Sequence, residues 1–453
     1  MRPLSILTVL MAAAGAAAFA YLGIVFQEQL FQTWRLGLVA ALPLAFTAAA
    51  LVSLRLSPLV RLNFVATVLL SVGVVYVFEL GLQLGWFAAP ARYGFGQGDG
   101  TFDKRSVGQV VAEGRAQGKP LFPSVFPFSL FSYRPDGTTG SALGDLLPLG
   151  GVSGVTTVSC NETGSFLIYE SDAHGFHNPK GSWDGRPVDL MAVGDSFTQG
   201  HCVASDRNFV ARIRARHPRT VSVGMAGNGP LLMLASLREY LPLLKPKVVL
   251  WFYYEENDIS DDLPVESTAP VLTRYLAEPG FTQNLGARQE EIDTRIGAWL
   301  DRLGTEAPSA VNPPPRLGTF GSLVLSDLLL LRSTRNILNV QFKPDAAFIR
   351  LFDDILARAK AEVEARGGRL VFVNLPGKRR FANAIGAWFQ DIRRERVFVL
   401  LKRQGIPVID TVPVFSAHPD PQSLFHFHYT EDGNERVASA VLSRLEDYLD
   451  FSR

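Results

Sequence analysis

Gly194-Asp195-Ser196-Phe197-Thr198-Gln199-Gly200 follows an apolar run, Val188-Asp189-Leu190-Met191-Ala192-Val193, that reads as a buried strand. A serine at the carboxyl end of such a strand stands where open α/β sheets bind ligands. Far downstream, His428-Tyr429-Thr430 opens the last helical segment. A serine hydroxyl becomes a nucleophile when a base removes its proton, and an imidazole with a pKa near neutrality can do so. The pair points to attack on an acyl carbon. Each residue also has a plainer reading. Ser196 could cap the helix that follows it. His428 could be a helix-start residue with no chemical role.

Strand–helix alternation must place these residues. From Pro187 onward, strands are expected at 188–193, 220–223, 247–253, 369–374 and 406–409, with helices at about 206–217, 231–244, 346–366, 380–404 and 431–448. Lys247-Val248-Val249-Leu250-Trp251-Phe252-Tyr253 is apolar without alternation, as a strand covered on both faces must be. Gly367-Gly368 ends one helix ahead of Arg369-Leu370-Val371. The pattern predicts an α/β fold, a three-layer α/β/α flavodoxin-like sandwich on a five-stranded parallel sheet.

Three apolar runs, 4–26, 36–54 and 64–87, occupy the first ninety residues, and the only charge within them is Glu79. Each is near the ~20 residues that cross hydrocarbon as a helix. Arg55 and Arg61 lie between the second and third runs, and only Arg35 between the first and second. Positive charge marks the cytoplasmic side, so the expectation is N-terminus inside, three crossings of the cytoplasmic (inner) membrane, and an extracytoplasmic remainder. A cleaved leader ending near Ala16-Ala17-Ala18 is the rival reading, and it also leaves the remainder outside. Glu79 is expected to snorkel or pair locally.

Residues 1–90 are thus expected to form a membrane anchor, and 91–186 an irregular or β-containing lead-in with no sustained helical period. A third unit follows at 187–453, interrupted at about 259–345, where the alternation stops. That interruption contains a helical pattern at 288–303, Pro313-Pro314-Pro315, and a leucine-rich run at 323–331. The run is expected to be a core helix, or alternatively a lid over the serine. The 44 basic and 43 acidic residues leave a net charge of +1 and no footprint for nucleic acid. Cys160 and Cys202 are the only cysteines. Outside the cytoplasm they can form a disulfide tying the lead-in to the serine turn, the alternative being two buried thiols.

At this point the sequence resembles the SGNH/GDSL hydrolase family over about 187–453. The likeness rests on Gly194-Asp195-Ser196, Gly224-Met225-Ala226-Gly227-Asn228-Gly229-Pro230, Glu256-Asn257-Asp258 and His428-Tyr429-Thr430-Glu431-Asp432-Gly433-Asn434, each after the expected element. The resemblance implies Ser196 as nucleophile and His428 as base. It implies an oxyanion hole from the Ser196 and Gly227 N–H groups and the Asn257 amide. One departure matters. The family's aspartate two or three residues before the histidine is replaced by Phe425 and His426. Asp420 and Asp410 are the nearest upstream carboxylates that a loop could bring to His428; a backbone carbonyl is the other candidate.

The expected activity is that of a membrane-anchored serine esterase acting on O-acyl groups of an envelope glycan, exopolysaccharide or lipid. Two alternatives remain: an O-acyltransferase using the same residues with a partner membrane protein, and a non-catalytic glycan-binding or assembly protein. No cofactor or metal is implied. His174 with His177, and His426 with His428, lack a third ligand at a recognisable spacing.

Overall fold

The computed structural model describes residues 2–26, 33–84, 86, 102–304, 327–338, 340 and 346–449. Ten strands are described: β1 Leu121–Pro123, β2 Phe131–Tyr133, β3 Thr139–Ser141, β4 Thr156–Val158, β5 Ile168–Glu170, β6 Leu190–Val193, β7 Thr220–Ser222, β8 Val248–Tyr254, β9 Arg369–Leu375 and β10 Val408–Asp410. The helices, in chain order, begin with α1 Arg2–Phe26, α2 Trp34–Ser53, α3 Pro58–Gln83 and α4 Val107–Ala116. Next come α5 Ser196–Gln199, α6 Phe209–Arg216, α7 Pro230–Leu244, α8 Leu263–Glu266, α9 Pro270–Ala277 and α10 Gln289–Leu303. The last five are α11 Arg332–Ile337, α12 Ala346–Glu364, α13 Ala384–Gln404, α14 Val412–Ser416 and α15 Glu431–Leu449. The chain divides into two compact units, one of 1–92, 315–347 and 379–400, the other of 93–314, 348–378 and 401–453.

The second unit is built on a five-stranded parallel sheet in the order β10-β9-β8-β6-β7. All seven residues of β8 are buried, so the unalternating apolar run has both faces covered. Connections between parallel strands are right-handed. From β6 the chain steps outward to β7 through α6, then back past β6 to β8 through α7. The opposite directions of these steps put α6 and α7 on opposite faces. Helix α12 buries Ile349, Phe352, Ile355, Leu356, Ala359 and Val363, the stripe that its 3.6-residue period aligns. Phe352 meets Tyr253 of β8 and Phe372 of β9, with ring centroids 5.5 and 6.4 Å apart. The expected strands of this sheet are all present, as are the expected helices, with ends displaced by a few residues, but most of the helix expected at 380–404 belongs to the first unit.

The lead-in is more regular than its sequence suggests. Helix α4 opens with a reciprocal capping box between Ser106 and Gln109, a local signal readable in the sequence. With under three turns and few apolar residues, it shows no sustained period. A second sheet, β1-β4-β5, pairs β4 with β5 as an antiparallel hairpin whose loop carries residues 159–167.

In the first unit, α1, α2 and α3 are long and apolar enough to cross a membrane. Many of their apolar side chains face outward, among them Leu42, Leu70 and Val74 at about 70% exposure, as a bilayer requires. Helices α1 and α2 approach closely where Gly15 faces Thr47. Trp388, Phe389 and Ile392 of α13 pack with Phe19, Leu22, Leu36 and Ala40. Arg35 pairs with Asp391 at 2.9 Å and also with Glu395.

Glu79 is fully buried, and of its partners only Gln83 is near it in sequence, the others lying about 250 residues away. It accepts from Ser333 N–H at 2.8 Å, Thr334 N–H at 2.7 Å and Gln83 Nε2 at 3.0 Å, and so caps α11. The leucine-rich stretch departs from the expected buried core helix. Residues 323–326, like Pro313-Pro314-Pro315, lie outside the described residues. Leu329 and Leu330 are exposed, and the Leu329 carbonyl accepts from Tyr76 of α3 at 3.3 Å. The stretch expected as one interruption is therefore split: its 259–304 portion packs in the second unit, and 327–338 belongs with the three apolar N-terminal helices.

Candidate active site

Ser196 begins α5, directly after β6 and Gly194. A Cβ at Gly194 would lie 2.1 Å from Thr198 Oγ1, so only glycine lets the chain turn this tightly out of the strand. The helix cap is Asp195, whose carboxylate accepts from Phe197 N–H at 2.9 Å. Ser196 is thereby relieved of the capping role, and its hydroxyl is free for other work.

That hydroxyl meets His428. Ser196 Oγ lies 2.8 Å from His428 Nε2. The histidine sits in a tight loop, with His426 N–H donating to the His428 carbonyl at 2.8 Å and Thr430 N–H to the Leu424 carbonyl at 2.9 Å. Tyr429 anchors the loop by donating to the Pro376 carbonyl at 2.7 Å. Phe197 packs on the His428 and Tyr429 rings at 4.8 and 4.6 Å.

The carboxylate on the imidazole is neither Asp420 nor Asp410. It is Glu162, from the β4–β5 loop. Glu162 Oε1 lies 2.5 Å from His428 Nδ1, and Oε2 accepts from the N–H groups of His428 at 3.0 Å and Phe427 at 3.2 Å. Asp410 accepts instead from Asn374 Nδ2 at 3.1 Å and Val412 N–H at 3.2 Å. Asp420 is exposed, and its carbonyl accepts from Ser423 Oγ at 2.7 Å. The reason is topological. The segment before His428 closes on itself, while the lead-in hairpin reaches the ring from outside the serine sheet. One signal could have found Glu162: it is the acid two residues past Cys160, and Cys160 is disulfide-bonded to Cys202, six residues past the serine, with Cα atoms 5.3 Å apart.

Burial pushes the Glu162 carboxyl up, but the hydrogen bond and charge of His428 outweigh it and hold Glu162 below its ordinary value. Glu162 therefore stays ionised near neutrality and accepts a hydrogen bond from Nδ1–H, which keeps that proton on the ring. The Nε2 lone pair then faces Ser196, the tautomer a general base needs. With Nδ1 on Glu162 and Nε2 on Ser196, both ring nitrogens are engaged. Burial drives His201 down to about 3, so this neighbour, 5.1 Å ring to ring, stays neutral.

The three expected oxyanion donors follow three adjacent strands: Gly227 after β7, Ser196 after β6 and Asn257 after β8. Parallel strands bring these ends to one edge. Gly227 has φ +74°, and a Cβ there would lie 2.8 Å from Phe128 Cβ. Its loop is tied to the serine turn by Ala226 N–H donating to Gln199 Oε1 at 2.9 Å. Asn257 precedes a π-helical turn, its carbonyl accepting from Asp261 and Asp262 N–H at 2.8 and 3.1 Å. His174 and His177 lie in packing. His174 sits edge-on to Trp183. His177 stacks on Tyr169, donates from Nδ1 to the Gln199 carbonyl, and accepts from Ser205 at Nε2.

The fold and this site define an α/β/α protein with a serine–histidine–glutamate relay at the strand ends. Solved structures similar to the chain include lipolytic proteins of the G-D-S-L family and esterases. A member of the lipolytic protein G-D-S-L family from Veillonella parvula DSM 2008 shares 12% identity over 59% of this chain and 99% of its own, with a TM-score of 0.31. The psychrotrophic esterase EstA from Pseudoalteromonas sp. shares 7% over 58% and 98%, at 0.30. The acetyl xylan esterase AlAXEase shares 10% over 57% and 100%, at 0.31. No family model matches the chain, and no curated protein matches it. At these scores the likeness adds nothing to what the chain's own atoms show.

Proposed function

We propose that this protein is a membrane-anchored serine hydrolase of ester bonds. The observation that carries the reading is the continuous relay Ser196–His428–Glu162, with bonds of 2.8 and 2.5 Å, at the carboxyl edge of the sheet. Ser196 Oγ attacks the acyl carbon while His428 Nε2 takes its proton. The N–H groups of Ser196 and Gly227 and the amide of Asn257 hold the oxyanion, each such donor being worth on the order of 3 kcal/mol of transition-state stabilisation. His428 returns the proton to the leaving alkoxide, and water then releases the acyl group from Ser196. Glu162 keeps the imidazole in the working tautomer and balances its charge. A carboxylate in this position weakens the non-catalytic reading, which the missing aspartate had motivated.

The apolar helices α1, α2 and α3 support anchoring in the inner membrane, and the arginines around 55–61 support an extracytoplasmic site. The disulfide agrees with that compartment. The substrate class that fits this location is an O-acyl ester on an envelope glycan, exopolysaccharide or lipid. A fluorophosphonate probe tests the reading. Wild type should be labelled and should hydrolyse p-nitrophenyl acetate, and Ser196→Ala should do neither. An unlabelled wild type, beside a serine esterase that labels, would sink it.

A further inference from the structure

Glu162 reaches His428 from a hairpin that is not part of the serine sheet, and a covalent bond stands between the two. Ser159 N–H donates to the Leu167 carbonyl and Leu167 N–H to the Cys160 carbonyl, both at 2.9 Å, so the loop is closed at its base just where the disulfide leaves it. Beyond Cys160 the tip is braced locally. Asn161 Nδ2 donates to the Asp103 carbonyl at 2.8 Å, and Asn161 Oδ1 accepts from Gly164 N–H at 2.7 Å. Among the described residues, the bonds running from this loop to the serine turn and the histidine loop include the Cys160–Cys202 bridge, Ser159 Oγ with His201 Nδ1 at 3.4 Å, and those of Glu162 itself. Ionised carboxylates favour water, so a mostly buried Glu162 keeps its place only while the loop is held against His428.

We propose that the Cys160–Cys202 disulfide is a positioning device that locks Glu162 onto His428, so that reducing it switches the site from a triad to a weak Ser–His pair without unfolding the sheet. The consequence for turnover rests on the hydrolase reading; the pairing of Glu162 with His428 does not. Cys202 lines a cavity of about 500 Å³ together with Thr163, Ser165, Phe166 and His426, large enough for a small dithiol. One thiolate of the dithiol attacks the Cys202 sulfur, and Cys160 leaves as thiolate. The second thiolate attacks the mixed disulfide, releases Cys202 and closes the reductant's own ring disulfide. Two electrons pass to the bridge, and the two reductant protons end on Cys160 and Cys202. Cys202 has φ +59°, a left-handed backbone rare for residues other than glycine, which cleavage leaves free to relax.

The test uses the full-length protein in detergent, oxidised and then reduced with dithiothreitol until two thiols titrate, with circular dichroism confirming the fold. The first readout is the downfield imidazole N–H resonance of His428, assigned by its loss in His428→Asn. It should be present in oxidised wild type, absent in Glu162→Gln, and lost on reduction. The Cys160→Ser, Cys202→Ser double variant should match the reduced state. The second readout is p-nitrophenyl acetate hydrolysis. Reduction should lower kcat at least tenfold in wild type with KM within twofold, and should cause no further loss in Glu162→Gln. A resonance and a kcat that survive full reduction would overturn the proposal, as would an equal further loss in Glu162→Gln. An oxidised wild type that hydrolyses nothing would instead overturn the hydrolase reading, and the resonance would still decide this one.

Discussion

Glu162 spends its two oxygens on three donors, and all three belong to the histidine loop. It therefore fixes both the tautomer of His428 and the path of the backbone that carries it. Glu162→Gln keeps the shape and loses the charge, and is expected to lower kcat by about 10²–10⁴ with little change in KM. Asp410→Asn and Asp420→Asn should leave kcat within twofold, since both carboxylates serve local turns or solvent. Steady-state hydrolysis of an activated ester checks all three. The carboxyl also contributes to stability. Its pKa is depressed in the fold, so its contribution is present above the unfolded value of about 4.5. That contribution is lost as pH falls through the lower folded value. At Gly227 a side chain meets both a left-handed backbone and Phe128. Gly227→Ala should cost about 1–3 kcal/mol of stability, read from urea unfolding, besides lowering kcat.

Two helices owe their starts to buried carboxylates supplied by other elements. Glu266 accepts from Gly229 N–H at 2.7 Å, Leu231 N–H at 2.8 Å and Leu232 N–H at 3.4 Å, and so caps α7, the helix that follows the Gly227 loop. Burial pushes the Glu266 carboxyl up to about 8 against the pull of these bonds. A pKa raised in the fold means stability that is complete below about 4.5 and lost as pH rises through about 8. Glu266→Gln should remove this slope, about 1.4 kcal/mol per pH unit between those limits. Denaturant unfolding of both proteins at pH 5, 6 and 7 measures it. Glu79 likewise caps α11, within the first unit, by accepting from Ser333 and Thr334 N–H. Glu79→Ala strips two N–H groups of their partner and is expected to expose the 327–338 stretch to limited proteolysis while Ser196 still labels.

At the scale of the whole molecule, the chain weaves repeatedly between two units rather than stringing them in series. Residues 379–400, and 327–338 among the described residues, leave the sheet-bearing unit to join the apolar N-terminal helices. Removing residues 1–90 alone would strip Trp388, Phe389 and Ile392 of their apolar partners, so the truncated protein is expected to aggregate unless these are made polar. The proposed topology makes a further prediction. In intact cells a cysteine introduced at Ser57 should be protected from a membrane-impermeant maleimide, and one at Ala112 should react. The reverse pattern would refute the orientation.

The sequence alone determined what local chemistry and periodicity can encode. The five strands of the serine sheet were legible because buried parallel strands are apolar along their whole length, as in β8. The three long apolar helices were legible because about twenty residues without charge is the length and composition that can cross lipid. Gly194-Asp195-Ser196 was legible because it follows a strand whose end faces the ligand edge of such a sheet, and His428 because it stands just ahead of the last helix. Tertiary structure alone decided the rest. Helix α4 is too short to show a period. The leucine-rich stretch looks the same whether a core or a membrane helix covers it, and Tyr76 and Glu79 decide that 250 residues away in sequence. The carboxylate for His428 has no spacing rule, because a side-chain hydrogen bond requires nearness in space and not along the chain. Here that nearness is made by a hairpin from another sheet and by the bond between Cys160 and Cys202.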